Sequence, residues 1–499
     1  MHTPQVLIVG AGPAGLVTAV TLARLGVPSL VVERRAHLSQ FPRATGVSLR
    51  SMELLRSWGL ERHVRAGEMQ VEPSGWLTQS LTATTGMPAS LGFPDPLEAL
   101  AVSPTTAASV PQDHLEPVLL DYLRQFTETE VEFGTELVAL SQGPDGVTAE
   151  VRDRAGTRQM RFAHVVGADG AHSAVRAAAG IAMAGPDNLS SQLAVLFRAP
   201  LWEHLREHRY GLYMLQRSAP TVFAPTDNRD RWLFSMPWNP RAESLADYPD
   251  DRMVSLIRQH AGLPDLAVDV LSIGSFTFAA QIAQRYRNGR LFLAGDAAHR
   301  MTPRGGSGMN TAIADAYDLG WKLGWVHRGW AAPELLDTYE AGRRPVGLRN
   351  VRRSAIPGAD RDPAQDWRDD IGGRLAHVWM PDGRSTLDLI GPGLTLLTGP
   401  QGSGWLEQAA TLHGAPIEVH SLDEVTSRRL GLDPAGAVLL RPDATPARTW
   451  SAGSAVPEQE LNHAVATETG RTQGGSRRTN GNDRRPASYA SEATTASAS

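Results

Sequence analysis

Gly10-Ala11-Gly12-Pro13-Ala14-Gly15 follows the apolar run Val6-Leu7-Ile8-Val9 and leads into a segment rich in small residues, Ala14 to Leu25. Few strings of this length constrain a fold as tightly. Gly10 permits a tight turn after a strand, Gly12 lets backbone N–H groups approach a pyrophosphate, and Gly15 lets a helix pack closely on its sheet. The helix N-terminus adds a positive dipole end for phosphates. Ser29 to Glu33 reads as the next strand, and it ends in a carboxylate about 20 residues on, the spacing for accepting ribose hydroxyls. Gln5 to Val9, Ala14 to Leu25 and Ser29 to Glu33 thus form one βαβ unit built for a dinucleotide. The apolar stretch Val6 to Val27 is expected to be a buried strand-turn-helix rather than an export signal, because no basic region precedes it and a Gly-Ala-Gly-Pro turn interrupts it.

Two further glycine-acid signatures follow in order. Val165 to Asp169 reads as a strand that ends in Gly167-Ala168-Asp169-Gly170. Arg290 to Ala294 reads as another, followed by Gly295-Asp296-Ala297-Ala298-His299 and then Pro303-Arg304-Gly305-Gly306-Ser307-Gly308-Met309-Asn310. Taken alone, Asp296 would be an ordinary helix cap. The glycine-rich loop changes that reading, because it delivers the N-terminus of a long helix, Met309 to Val326. That positive end suits the N1–C2=O edge of a reduced, anionic flavin, and a carboxylate at 296 suits a ribityl hydroxyl. Three such turns in this order point to one long ligand, FAD.

The chain has 499 residues, more than one core usually holds, so two or three domains are expected. A net charge of −5 and 41% hydrophobic residues fit a soluble protein with no nucleic-acid partner. No run is apolar enough to span a bilayer. The absence of cysteine excludes disulfides, thiolate metal sites and cysteine nucleophiles. No metal is expected, and the location is expected to be cytoplasmic.

Arg50 to Trp58 and Gln112 to Phe126 have helical periodicity, the latter with Leu115, Leu119, Tyr122 and Leu123 on one face. Val131 to Leu140 and Val147 to Arg152 read as a hairpin around Pro144-Asp145-Gly146. Short alternating segments (Leu193 to Phe197, Gly211 to Leu215, Trp232 to Met236) mark residues 189–283 as a mostly antiparallel, substrate-side domain. It interrupts an FAD-binding domain formed by residues 1–188 and 284–355. A Pro/Asp/Arg-rich linker follows, then strand signals at Leu394 to Leu397 and Ala437 to Leu440 within a third domain, 373–452. Residues 467–499 have the composition of a disordered tail.

These motifs, with Phe41-Pro42-Arg43-Ala44-Thr45-Gly46 and Gln112-Asp113-His114-Leu115-Glu116, resemble the class A flavoprotein aromatic hydroxylases, typified by para-hydroxybenzoate hydroxylase. The likeness runs from the N-terminus to about Asn350 and is nearest the actinomycete-type polyketide and phenol hydroxylases. The resemblance implies an α/β fold: a Rossmann-like FAD-binding domain, an interleaved antiparallel substrate domain and a small C-terminal thioredoxin-like domain. Without cysteine that last domain is structural or an association surface, and the protein a monomer or homodimer.

The same resemblance implies cofactor contacts at Gly10, Gly12, Pro13, Ala14, Gly15, Glu33, Arg34, Arg43, Ala44, Gln112, Leu137, Asp169, Asp296, Pro303, Gly308, Met309 and Asn310. It places Asp169 on the pyrophosphate and nicotinamide route, and flexing of the flavin loop at Thr45-Gly46. Only one dinucleotide fold is visible, so NAD(P)H, NADPH in preference to NADH, is expected to bind transiently and reduce FAD. O2 then gives a flavin C4a-hydroperoxide that hydroxylates a phenolic carbon. No dedicated catalytic base is demanded. Gly46, Val47, Tyr213, Phe223, Met236 and Trp238 are the substrate-lining candidates, and the lack of a carboxylate clamp favours a bulky polycyclic phenol. His299 reads as a packed or capping residue. Three rival readings share this fold. A halogenase fits poorly, because the only lysine, Lys322, stands mid-helix between Trp321 and Trp325. A Baeyer–Villiger or epoxidising oxygenase stays open. A redox-inactive binding protein would not need Gly295-Asp296 and Gly308 to Asn310.

Overall fold

The structure is a computed structural model, and it describes residues 4–42, 44–205, 209–216, 220–355, 363–412, 414, 416–451 and 457–471. The N-terminal unit forms as its sequence requires. Val6–Val9 and Ser29–Glu33 are parallel neighbours, joined by the Pro13–Arg24 helix with proline in its first turn. They belong to a six-stranded sheet whose order is Arg287–Asn288, Leu291–Leu293, His164–Gly167, Val6–Val9, Ser29–Glu33, Thr129–Phe133. All pairings are parallel except the Arg287–Asn288 edge. Val6, Leu7 and Ile8 are fully buried, as strands covered on both faces must be.

The single strand expected from Val131 to Leu140 is two. Thr129–Phe133 joins the parallel sheet, and Glu136–Gly143 begins a separate three-stranded antiparallel sheet with Gly146–Asp153 and Gly156–Phe162. Gly134, at φ +70°, makes the break, a conformation that favours glycine.

The substrate-side unit is a seven-stranded sheet. Its strands Ser190–Arg198, Tyr210–Leu215, Thr221–Pro225, Arg231–Pro237 and Asp269–Phe278 come from the expected stretch. Glu72–Thr78 and Gly86–Ser90 join it from the first part of the chain. Helix Asp250–Ala261 covers one face through Met253, Ile257 and Ala261. A four-stranded sheet, Ile417–Ser421, Leu394–Thr398, Ala437–Leu440, Pro446–Trp450, carries the C-terminal unit. The Pro457–Thr469 helix runs into the stretch expected to be disordered, whose remainder beyond Arg471 lies outside the described residues. Among the described residues no helix is long and apolar enough to cross a membrane.

Candidate active site

Leu291–Leu293, His164–Gly167, Val6–Val9 and Ser29–Glu33 are neighbours in one parallel sheet, so their C-terminal ends lie on one side. Those ends carry Gly295-Asp296, Ala168-Asp169, Gly10 to Gly15, and Glu33. This is the crevice where open α/β sheets bind ligands. The turns abut one another. Gly10 has φ +103°, and a Cβ there would stand 2.4 Å from the Ala168 carbonyl oxygen. A Cβ on Gly15 would fall 1.8 Å from the Gly10 carbonyl oxygen. One on Gly295 would lie 3.2 Å from Ala14 Cβ and 3.1 Å from Ala312 Cβ, so this turn wedges between the first turns of two helices, Pro13–Arg24 and Gly308–His327.

Gly12 and Gly308 differ. Nothing lies within 4 Å of a Cβ built on either. Gly12 sits at φ −79°, ψ −175°, open to any residue. The protein's own packing therefore does not require glycine at position 12; a ligand pressed against its backbone would. Cradles over two helix N-termini, with acids between and beside them, fit a diphosphate-linked dinucleotide.

The three acids are set differently. Glu33 accepts the Ala11 N–H at 3.1 Å through one oxygen and the Arg35 N–H at 2.9 Å through the other, leaving lone pairs for hydroxyls. Asp296 is exposed between the buried Gly295 and Ala297. Asp169 accepts the Val175 N–H at 3.1 Å, while its other oxygen is buried without a partner among the described residues. Burial pushes its carboxyl above the ordinary range, against the hydrogen bonding that favours the anion.

At the far end of the crevice Asn310 ties loops together. Its Oδ1 accepts the Ser48 N–H at 2.8 Å and the Ser51 hydroxyl at 2.9 Å; its Nδ2 donates to the carbonyls of Gly46 at 3.1 Å and Gly306 at 3.2 Å. Pro303 is exposed, and its carbonyl accepts the Gly306 N–H in a turn. Met309 is buried. Gln112 donates its backbone N–H to Ala44 and its side chain to Glu116 at 2.6 Å. Arg34 is exposed beside Glu33, and Leu137 is buried in the core. Arg43 lies outside the described residues.

The substrate candidates divide. Gly46 and Val47 lie at the Asn310 loops. Tyr213 and Phe223 do not reach an open surface: both are 0% exposed in the core beneath helix Asp250–Ala261, and Met236 and Trp238 pack against the same core. That is a correction with a simple cause. Side chains alternate across a strand, and Tyr213, Phe223 and Met236 fall on the helix-covered face, whereas Phe276 and Phe278 fall on the other. Burial holds the Tyr213 hydroxyl up at about 12. The opposite face carries Ala194, Ser235, Val222 and Met214 in register. Met214 lies against Gly75 beside Leu91, and two residues on, the Phe93 ring lies against both Gly46 and Gly306. Sequence reading missed Phe93, which stands in no motif.

His299 is packed, as expected. Fully buried, its Nε2 lies 2.7 Å from Asp315 Oδ2, and Arg343 Nε donates to Asp315 Oδ1 at 2.7 Å. Burial opposes ionisation of Asp315, but Arg343 and His299 prevail and hold its carboxyl below the ordinary range. Asn350 donates to Thr311 Oγ1 at 2.9 Å, tying the Asp337–Ala355 helix to the residue after Asn310.

Residues 3–354 match the FAD binding domain family, and residues 368–472 match the C-terminal domain of aromatic-ring hydroxylases. The chain belongs to the FAD-dependent aromatic-ring hydroxylases. A putative polyketide hydroxylase of Streptomyces halstedii is 34% identical, with 94% of this chain and 97% of that protein covered. Aklavinone 12-hydroxylase RdmE of Streptomyces purpurascens is 34% identical, with 89% and 94% covered. The crystal structure of aklavinone-11 hydroxylase with FAD and aklavinone superposes with a TM-score of 0.84 at 32% identity, covering 94% of this chain and 100% of that one.

Proposed function

We propose that this chain is an NADPH-consuming monooxygenase that hydroxylates a polycyclic phenol of polyketide type. The observation that carries the reading is the abutment of the three glycine-acid turns along one crevice, in a chain whose relatives along nearly its whole length include a putative polyketide hydroxylase and an aklavinone hydroxylase. FAD, when bound, supplies the hydride acceptor and the centre that activates dioxygen. The chain's own groups do the rest. The amides above Gly12 and the first turn of Pro13–Arg24 hold the diphosphate, Glu33 the ribose and Asp296 the ribityl hydroxyls. The N-terminus of Gly308–His327 sets a positive dipole end at the ring. Asn310 has every hydrogen-bonding site of its side chain engaged, so it orders the ring-side loops rather than reaching the ring. Phe93 and Val47 exclude water beside them.

The preference for NADPH over NADH is supported by an open cleft of about 540 Å³ lined by Arg34, Arg35, Arg152 and Arg154 with Glu136 and Asp153, four guanidinium groups against two carboxylates. Guanidinium groups there would neutralise a phosphomonoester. The substrate would lie against the face bearing Ala194, Met214 and Val222. Gln192 and Ser235, both buried and 3.4 Å apart, supply the polar contacts there. The C-terminal unit, thioredoxin-like in outline, has no cysteine for redox work.

The test is to follow NADPH and NADH oxidation with naphthols, anthraquinone phenols and simple phenols, measuring oxygenated product and hydrogen peroxide separately. Gain of one oxygen on a polycyclic phenol, faster with NADPH, is expected. A lactone or an epoxide as the product would move the reading to a Baeyer–Villiger or epoxidising enzyme. No pyridine-nucleotide oxidation with any substrate would overturn it.

A further inference from the structure

The C-terminal unit touches the crevice through a continuous polar chain. Arg374, at its start, is almost fully buried and forks onto Glu53, Nη2 to Oε1 at 2.6 Å and Nε to Oε2 at 2.9 Å. Glu53 is as deeply buried, and Arg50 donates to its Oε2 at 3.0 Å. Arg50 also donates to the backbone carbonyl of Asp443 in the C-terminal unit. A second tie lies beside this one: Tyr317, on the Gly308–His327 helix, donates its hydroxyl to the Pro442 carbonyl at 2.8 Å.

Arg50 and Glu53 both stand on the short Leu49–Ser57 helix. The N-terminal end of that helix is the grip on the ring-side loops. Ser48 caps it, accepting the Ser51 N–H, while the Ser48 N–H and the Ser51 hydroxyl both go to Asn310 Oδ1. A nine-residue helix is too short to hold itself in place, so its position is set by what it packs on. Its buried charges are satisfied from the C-terminal unit.

We propose that Arg374, with the Pro442-Asp443 turn, is a positioning device for the ring-side loops. It fixes the Leu49–Ser57 helix through Glu53 and Arg50, and through Ser48 and Ser51 it fixes Asn310, Gly46 and Gly306. The C-terminal unit is then part of the apparatus that keeps the ring end of the crevice in one geometry. The significance for FAD rests on the assignment of those loops to the ring; the coupling itself does not.

The experiment compares the full chain with Arg374→Gln, Glu53→Gln and Tyr317→Phe. The control is Arg428→Gln, which breaks an exposed bridge within the C-terminal unit, Arg428 to Glu424, whose side chains are 73% and 70% exposed. Amide hydrogen exchange is read at 46–51 and 303–311 in the flavin-free protein, and FAD affinity by quenching of flavin fluorescence. Exchange at both loops should rise by about tenfold in Arg374→Gln and Glu53→Gln, and less in Tyr317→Phe, with FAD bound more weakly. The control should match wild type. Should Arg374→Gln not fold, Tyr317→Phe carries the same prediction, since it removes one hydrogen bond and leaves every charge paired. Folded variants whose loops exchange as in wild type, with change confined to 374–389 and 441–445, would overturn the proposal. Faster loop exchange with unaltered FAD affinity would keep the coupling and overturn the assignment of the loops to the ring.

Discussion

Asp315 is a mid-helix aspartate with nothing in its neighbours to mark it, yet it is the buried anion on which His299 and Arg343 converge. Removing one partner of such a cluster strands the others in a low-dielectric interior. Asp315→Asn should therefore cost about 3–5 kcal/mol, read from urea unfolding midpoints; a loss below about 1 kcal/mol, the level of an exposed pair, would show that the cluster is not the tie described. A second pair, buried His164 with half-buried His327, was equally invisible. His164 Nδ1 and His327 Nε2 lie 3.0 Å apart, one ring donating and the other accepting. Burial, then the neighbouring imidazole and Arg290, hold His164 down at about 3; burial and Arg290 hold His327 at about 4. In the unfolded chain both take up protons near 6.5. Between those limits the unfolded state binds more protons, so stability should fall as pH drops from 6.5 toward 4. The slope is at most about 1.4 kcal/mol per pH unit per histidine. The double variant His164→Gln/His327→Gln should flatten that slope; an unchanged slope would place the acid sensitivity elsewhere. Residues of this kind are illegible because their partners lie 16 to 163 positions away.

At the scale of elements, legibility followed local chemistry. The Ser29–Glu33 and Ala437–Leu440 strands stand where their apolar patterns put them, and the long helix begins at the glycine loop. Glu72–Thr78 was missed because it pairs in parallel with the distant Tyr210–Leu215, and Gly86–Ser90 because it is a largely exposed edge strand on Glu72–Thr78 with no apolar alternation. The substrate aromatics were misread for a related reason: period two says which side chains share a face, not which face a helix will cover. Two helices, Pro13–Arg24 and Gly308–His327, approach through small residues. A Cβ on Gly324 would stand 2.3 Å from Leu25 Cδ1, whereas one on Gly15 would stand 1.8 Å from a backbone oxygen. Leu25 can turn away and the backbone cannot. Gly324→Ala should cost about 1–3 kcal/mol, and Gly15→Ala more, to the point of losing soluble protein. Equal tolerance of the two, by thermal unfolding, would contradict the close approach at Gly15.

Over the whole molecule the crevice draws on strands that begin at Val6, Ser29, His164 and Leu291, and the chain returns to it after building the substrate-side sheet. Order of motifs along the sequence was enough to name the ligand class, because each motif carries its own strand end. What covers the crevice was not legible, because Phe93 lies against Gly46 and Gly306, segments far from it along the chain. The central claim is that the three turns hold one FAD. Its most direct test is titration of flavin-free protein with FAD, followed by flavin fluorescence, in wild type, Asp296→Ala and Gly12→Val. Gly12 has open space and an unstrained backbone, so Gly12→Val should fold as wild type does. The account predicts one FAD per chain in wild type, weaker binding in Asp296→Ala and none in folded Gly12→Val. Failure of wild type to bind FAD, or binding by Gly12→Val as tight as wild type, would contradict it.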